Sequence, residues 1–143
     1  MGEDCTSGNE IHHFFVYGTL MRGQCREKCW PHAPVCVEPA LIRATLYDLG
    51  DYPAIAEGPG LVRGEVWELH REHMAETFRV LDEIEGFAQQ EDDLFLRRMV
   101  DCKLGDGREL QAWAYYYARP AKLSEKDRIA DGPTGASSWG RNA

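Results

Sequence analysis

Phe14-Phe15-Val16-Tyr17-Gly18-Thr19-Leu20 is a short apolar run that ends abruptly at a glycine. A run of this length and composition, closed by glycine, reads as a buried strand delivering its backbone into a turn. Successive N–H groups in such a turn converge on one concavity and can hold an anion, usually a carboxylate or a phosphate. Tyr17-Gly18-Thr19-Leu20 is therefore the first candidate binding loop.

Outward from this strand, short elements alternate with breakers. Residues 1–11 read as a polar tail, and Arg22 to Trp30 as a short helix stopped by Pro31. Val35 to Tyr47 holds one or two strands. Gly50-Asp51-Tyr52-Pro53 and Glu57-Gly58-Pro59-Gly60 read as two turns around a short extended piece, Ala54 to Ala56. Val62 to Leu69 alternates as a strand. The long helix is expected over Glu72 to Glu85. Arg97 to Lys103 and Glu109 to Ala118 form a hairpin about Gly105-Asp106-Gly107, with Trp113, Tyr115 and Tyr117 on one face and Ala112, Ala114 and Tyr116 on the other. A helical turn is expected in Ala121 to Ala130, and residues 131–143 read as a trailing loop. Many short strands with one main helix predict an α+β fold around a curled, mostly antiparallel sheet. The length predicts one domain spanning 1–143, with loose tails at 1–11 and 131–143.

Composition narrows the function. Twenty-four acidic residues against sixteen Lys and Arg give a net charge of −8, which argues against nucleic acid, whose phosphates need a basic face. No apolar stretch approaches the roughly 20 residues of a membrane span. The acidic start, Met1-Gly2-Glu3-Asp4, carries no export signal. With five cysteines, an odd number, the expectation is a reduced, cytoplasmic chain. Cys25, Cys29, His32 and Cys36 could be drawn as a zinc set, but the spacing matches no standard motif and Pro31 and Pro34 interrupt it. The expectation is no metal, with Cys25 and Cys29 one helical turn apart and partly buried. His12-His13 are expected at the surface, and Asp92 and Asp93 in a solvated acidic run.

The helix carries the second candidate. Met74, Phe78 and Leu81 form its apolar stripe at i, i+4 and i+7, and the next member, at i+11, is Glu85. At about 100° per residue Glu85 lies only about 20° from Met74 around the axis, whereas Glu83 lies about 180° away and faces water. A carboxylate on the core face loses hydration, so its pKa rises. That suits a group taking up and releasing a proton near neutral pH. Gly86 follows as a helix cap, and the competing reading has Glu85 turning out to solvent at the last turn.

Together these features resemble the gamma-glutamylcyclotransferase-like superfamily, in particular its AIG2-like and gamma-glutamylamine cyclotransferase branch. The resemblance rests on an ordered set: Phe15-Val16-Tyr17-Gly18-Thr19-Leu20, Leu46-Tyr47-Asp48-Leu49 with Tyr52-Pro53-Ala54, Gly64-Glu65-Val66-Trp67-Glu68-Leu69, Leu81-Asp82-Glu83-Ile84-Glu85-Gly86-Phe87, and Ala112-Trp113-Ala114-Tyr115-Tyr116-Tyr117. It covers about residues 14 to 118, and Ser138-Trp139 resembles a later segment. Asp51 and the stretch Leu94-Phe95-Leu96-Arg97 depart from the pattern.

The resemblance implies a small, mostly antiparallel or mixed β-barrel with flanking helices and a cavity at one end. It implies an enzyme that cyclises a γ-glutamyl amide by intramolecular aminolysis, releasing 5-oxoproline and an amine or amino acid. It puts the acid/base role on Glu85, substrate binding on Tyr17, Gly18, Thr19 and Leu20, and Tyr115 on the pocket wall. The implied partner is a small γ-glutamyl compound, with no cofactor, nucleic acid or membrane. The alternatives are a non-catalytic binding or regulatory module on the same fold, and removal of a γ-glutamyl protecting group. A cysteine nucleophile at Cys25 or Cys29 lacks any motif joining it to a histidine.

Overall fold

A computed structural model of the protein describes residues 11–139. Five strands among them, β1 (His13–Val16), β2 (Cys36–Asp48), β3 (Pro53–Glu68), β4 (Phe95–Leu104) and β5 (Glu109–Tyr117), close into a barrel in the order β1-β3-β2-β4-β5. Every pairing is antiparallel except the seam, where β1 runs parallel to β5 and Phe14 stands opposite Trp113. The barrel is thus mixed, as the resemblance implied. No described helix is long and apolar enough to cross a membrane.

β1 and the start of β3 are buried on both faces, so alternation is hard to read there. One buried set fills the barrel: Phe15, Tyr17, Ile42, Leu46, Ile55, Val62, Val66 and Tyr116, with Ala40, Ala44, Ala112 and Ala114 between them. Five strands enclose little space, so small residues must alternate with large ones. The second set lies on the outer face of the sheet: Phe14, Val16, Trp67, Phe95 and Tyr115 meet Met74 and Leu81 of the helix α1 (Met74–Glu85). The division of β5 follows its pattern, with Tyr115 outward and Ala112, Ala114 and Tyr116 inward.

Several local expectations are corrected. The turn read at Glu57–Gly60 lies inside one strand: pairing with β2 slips between Arg43 and Thr45, and residues 57–60 bulge out opposite Ala44. Glycine lets the bulge pack directly on the Thr45 side chain, since a Cβ on Gly58 would collide with Thr45 Oγ1. Arg22 to Trp30 is not a helix but a chain of turns with one short 3-10 turn, Glu27–Cys29, because Gly23 takes a left-handed φ of +83°. The expected turn after Pro120 is two 3-10 turns, Pro120–Lys122 and Glu125–Asp127. Asp93 is buried, only 4% exposed, and accepts bonds from the N–H groups of Ala88 and Gln90. Within the trailing stretch, Ala136 and Ser137 are buried, and Ser137 exchanges backbone bonds with Leu61 and Arg63. The tail expected at residues 1–11 lies, apart from Ile11, outside the described residues.

Candidate active site

The strand-to-turn reading of Phe14–Leu20 places a loop at the C-terminal end of β1. Tyr17, Thr19 and Leu20 are buried there. Gly18 packs so closely on Pro53 that a Cβ would lie 2.5 Å from its ring. The turn is held from its carbonyl side: Met21 donates to Gly18 C=O at 3.1 Å and Arg26 to Thr19 C=O at 2.8 Å. Trp30 Nε1 donates to Leu20 C=O at 2.9 Å while its ring stacks flat on Trp67 at 4.3 Å. No turn or loop bond uses the N–H of Gly18, Thr19 or Leu20 among the described residues.

Helix α1 ends beside this loop. Gly86, at φ +71°, turns the chain out of the helix, and Phe87 N–H caps Asp82 C=O at 2.9 Å. The last turn is pinned to the barrel through Asp82. One of its carboxylate oxygens accepts from the Tyr115 hydroxyl and the other from Arg97, whose guanidinium lies 4.0 Å over the Phe78 ring. Tyr17 Oη donates to Tyr115 C=O at 2.6 Å, tying the loop to the same strand. Burial, and then the Asp82 hydrogen bond, push the Tyr115 phenol far above its ordinary range, so it acts as a neutral donor. Burial likewise raises Tyr17, with the Glu85 charge second.

These contacts enclose a cavity of about 120 Å³. Tyr17, Gly18, Thr19, Leu20, Glu85 and Tyr115 all line it, with Arg26, Tyr52, Pro53 and Phe95 among the remaining walls. Every site residue expected from the sequence therefore meets in one place. Glu85 is half-buried on the cavity wall, and Glu83 is exposed. Desolvation raises the Glu85 carboxyl from 4.5 to about 7, and the positive charge of Arg26 opposes that rise. Among the described residues no side chain or turn amide donates a hydrogen bond to Glu85, so its oxygens are available to a ligand.

Arg26 escaped the sequence reading. Its only signal was a cation a few residues beyond the glycine turn, in a stretch taken for a helix. Its guanidinium forms no ion pair among the described residues, although it lines the same cavity as Glu85. Cys25, Cys29, His32 and Cys36 do not gather into one cluster among the described residues: Cys25 is exposed, and His32 is hydrogen-bonded to Glu76 at 2.7 Å and stacked on His73.

A family model for gamma-glutamyl cyclotransferase, AIG2-like, matches residues 14–137. The chain belongs to that family. A gamma-L-glutamyl-butirosin B gamma-glutamyl cyclotransferase from Niallia circulans is 31% identical over 116 residues, 80% of this chain and 72% of that protein. The gamma-glutamylcyclotransferase family protein YtfP of Escherichia coli K12 is 29% identical over 106 residues, 74% of this chain and 82% of that one. Among solved structures, an Arabidopsis thaliana protein matches at TM-score 0.61 and 20% identity, over 94% of this chain and 81% of its own. A yeast gamma-glutamyl cyclotransferase specific to glutathione matches at TM-score 0.51 and 12% identity, over 87% and 80%. The two structures share the fold of this gamma-glutamyl cyclotransferase family member. The family's match runs from the Phe14 strand to Ser137, the residue that pairs with Leu61 and Arg63, so it takes in every residue that lines the cavity.

Proposed function

We propose that the protein cyclises a γ-glutamyl amide, releasing 5-oxoproline and the free amine. The observation that carries this reading is a carboxyl poised at about 7, inside a small cavity, beside a turn whose N–H groups are free of turn bonds. The α-amine of the γ-glutamyl group attacks its own γ-carbonyl carbon. A C–N bond forms, the tetrahedral intermediate collapses, and the C–N bond to the leaving amine breaks. Two protons leave the attacking ammonium nitrogen and two reach the leaving nitrogen, which departs as an ammonium. One carboxylate can carry them in succession if both its forms are populated near neutrality, as those of a group at about 7 are. No electron is transferred, and protein groups alone serve the scheme.

Cavity size supports the reading. A volume of about 120 Å³ is close to the roughly 150 Å³ cavity that accepts benzene. It accommodates the γ-glutamyl part folded toward a five-membered ring and little else. Enclosure in that pose removes the entropy cost of ring closure before reaction. The N–H groups of Gly18 to Leu20 hold the substrate, with Arg26 supplying a cation for its α-carboxylate, and an N–H donor of the turn can meet the developing oxyanion. The leaving group then projects through the mouth. The Niallia circulans relative, whose name gives its substrate as a γ-glutamyl butirosin, is consistent with a leaving group outside the enclosed space.

The test is a panel of glutathione, γ-glutamyl amino acids, γ-glutamyl-ε-lysine and γ-glutamylamines, assayed for 5-oxoproline. Release from at least one compound, abolished by Glu85→Gln in a folded protein, supports the assignment. Full activity in Glu85→Gln would remove Glu85 from the mechanism, and no 5-oxoproline from any of them would remove the reaction.

A further inference from the structure

At the other end of β1, three strand ends gather donor groups that the cavity does not use. His13 stands in register with Glu68 at the end of β3, and Glu68 in register with Cys36 at the start of β2. His12 precedes β1 and continues its pairing: Leu69 N–H donates to His12 C=O at 2.9 Å. One potential ligand atom each from His12, His13 and Glu68 lie within 4.8 Å of one another, and all three residues are half-buried. His12 and His13 thus do not stand free at the surface as expected. Their ring centres are 4.7 Å apart.

We propose that His12, His13 and Glu68 form a binding site for a divalent transition-metal ion of the zinc class. Two imidazoles and a carboxylate are a donor set suited to zinc, with solvent in a fourth position. The tautomer of His12 is already set for this role. Its Nδ1 lies 2.8 Å from Leu69 C=O, which can only accept, so Nδ1 carries the proton and the Nε2 lone pair is free. Orientation of a ligand imidazole by a backbone carbonyl is the usual outer-shell arrangement at metal sites. Among the described residues Glu68 forms no ion pair of the kind seen at Glu38 and Glu65, and its carboxylate lies beside the two imidazoles. The other described histidines are engaged elsewhere: His32 bonds Glu76 and stacks on His73, and His70 packs edge-on against His73. A bound ion would fasten the entry of β1 to the junction between β3 and α1, away from the Gly18 loop. The proposal therefore stands or falls separately from the cyclisation reaction.

The experiment is calorimetric titration of the chelator-treated, full-length protein with zinc chloride, paired with thermal unfolding with and without zinc. The expected result is one saturable site per chain and a rise in Tm with zinc. Affinity should fall by about tenfold or more in Glu68→Gln and in His13→Asn. It should persist in the Cys25→Ser/Cys29→Ser double variant. Far-UV circular dichroism of the metal-free variants confirms that each is folded, and the near-isosteric Glu68→Gln carries the test should His13→Asn not be. Absence of saturable binding, binding lost with the two cysteines, or binding unchanged in Glu68→Gln would each overturn the site.

Discussion

Replacing Glu85 by glutamine should make the protein more stable, and only above a definite pH. The folded cavity holds the Glu85 proton up to about pH 7, whereas the unfolded chain releases it near 4.5. A folded-state pKa raised in this way gives stability that is complete below 4.5 and lost as pH climbs through about 7. At 1.36 kcal/mol per pKa unit, the rise from 4.5 to about 7 corresponds to at most about 3 kcal/mol. Water reaching a half-buried carboxylate reduces that to about 1–3 kcal/mol. Glutamine has the shape of the protonated acid and never ionises, so it escapes the penalty. At about 2–4 °C per kcal/mol for a chain of this size, the variant should melt roughly 3–10 °C above wild type at about pH 8. The difference should vanish near about pH 4.5. Thermal unfolding followed by circular dichroism across this range measures it. A difference that stays flat with pH, or a variant that is less stable at about pH 8, would show that folding does not retain the Glu85 proton.

Wild-type kcat/KM for 5-oxoproline release should rise about tenfold per pH unit below 7 and level off above it, since the carboxylate form takes the first proton. Arg26→Gln removes the charge that holds the Glu85 carboxyl down, so the midpoint of that profile should move to higher pH and KM should rise; an unmoved midpoint would dissociate Arg26 from the base. Tyr115→Phe deletes the donor to Asp82 and should cost about 1–3 kcal/mol of stability in denaturant titration. Gly64→Ala would force a Cβ to 2.3 Å from Val16 C=O and 2.7 Å from the Phe15 ring, so a loss of about 1–3 kcal/mol or more is expected, read from the urea midpoint.

What could be read in advance followed from where the physics is local. Glu85 interrupts an apolar helical stripe, and helical periodicity alone puts it beside Met74 and away from Glu83. The Gly18 turn announces itself by ending an apolar run. The β5 faces were legible because large and small residues alternate along it. Glu57–Gly60 was not, because two glycines and a proline look the same in a turn as in a bulge. Only the opposing strand, with Thr45 against Gly58, decides between them. Asp93 looked like one more acid in a polar run, since the amides of Ala88 and Gln90 that bond it are supplied by the folded loop. Arg26 was hidden for the same kind of reason: a cation enters a cavity through the path of the backbone, and that path runs through the irregular turns after Gly23.

The bond from Tyr17 to the Tyr115 carbonyl spans 98 positions of the chain. During synthesis the N-terminal segment leaves the ribosome first. The Gly18 loop therefore exists as a sequence long before its supporting strand does. Helix α1, with Glu85, is complete earlier than β5, yet the parallel seam between Phe14 and Trp113 cannot form until residue 113 has emerged. A nascent chain cut short before β5 carries Glu85 and the loop but lacks Tyr115, to which both Tyr17 and Asp82 are bonded. Closure of the cavity wall thus waits for residues 113–115, when the first strand of the barrel meets the last.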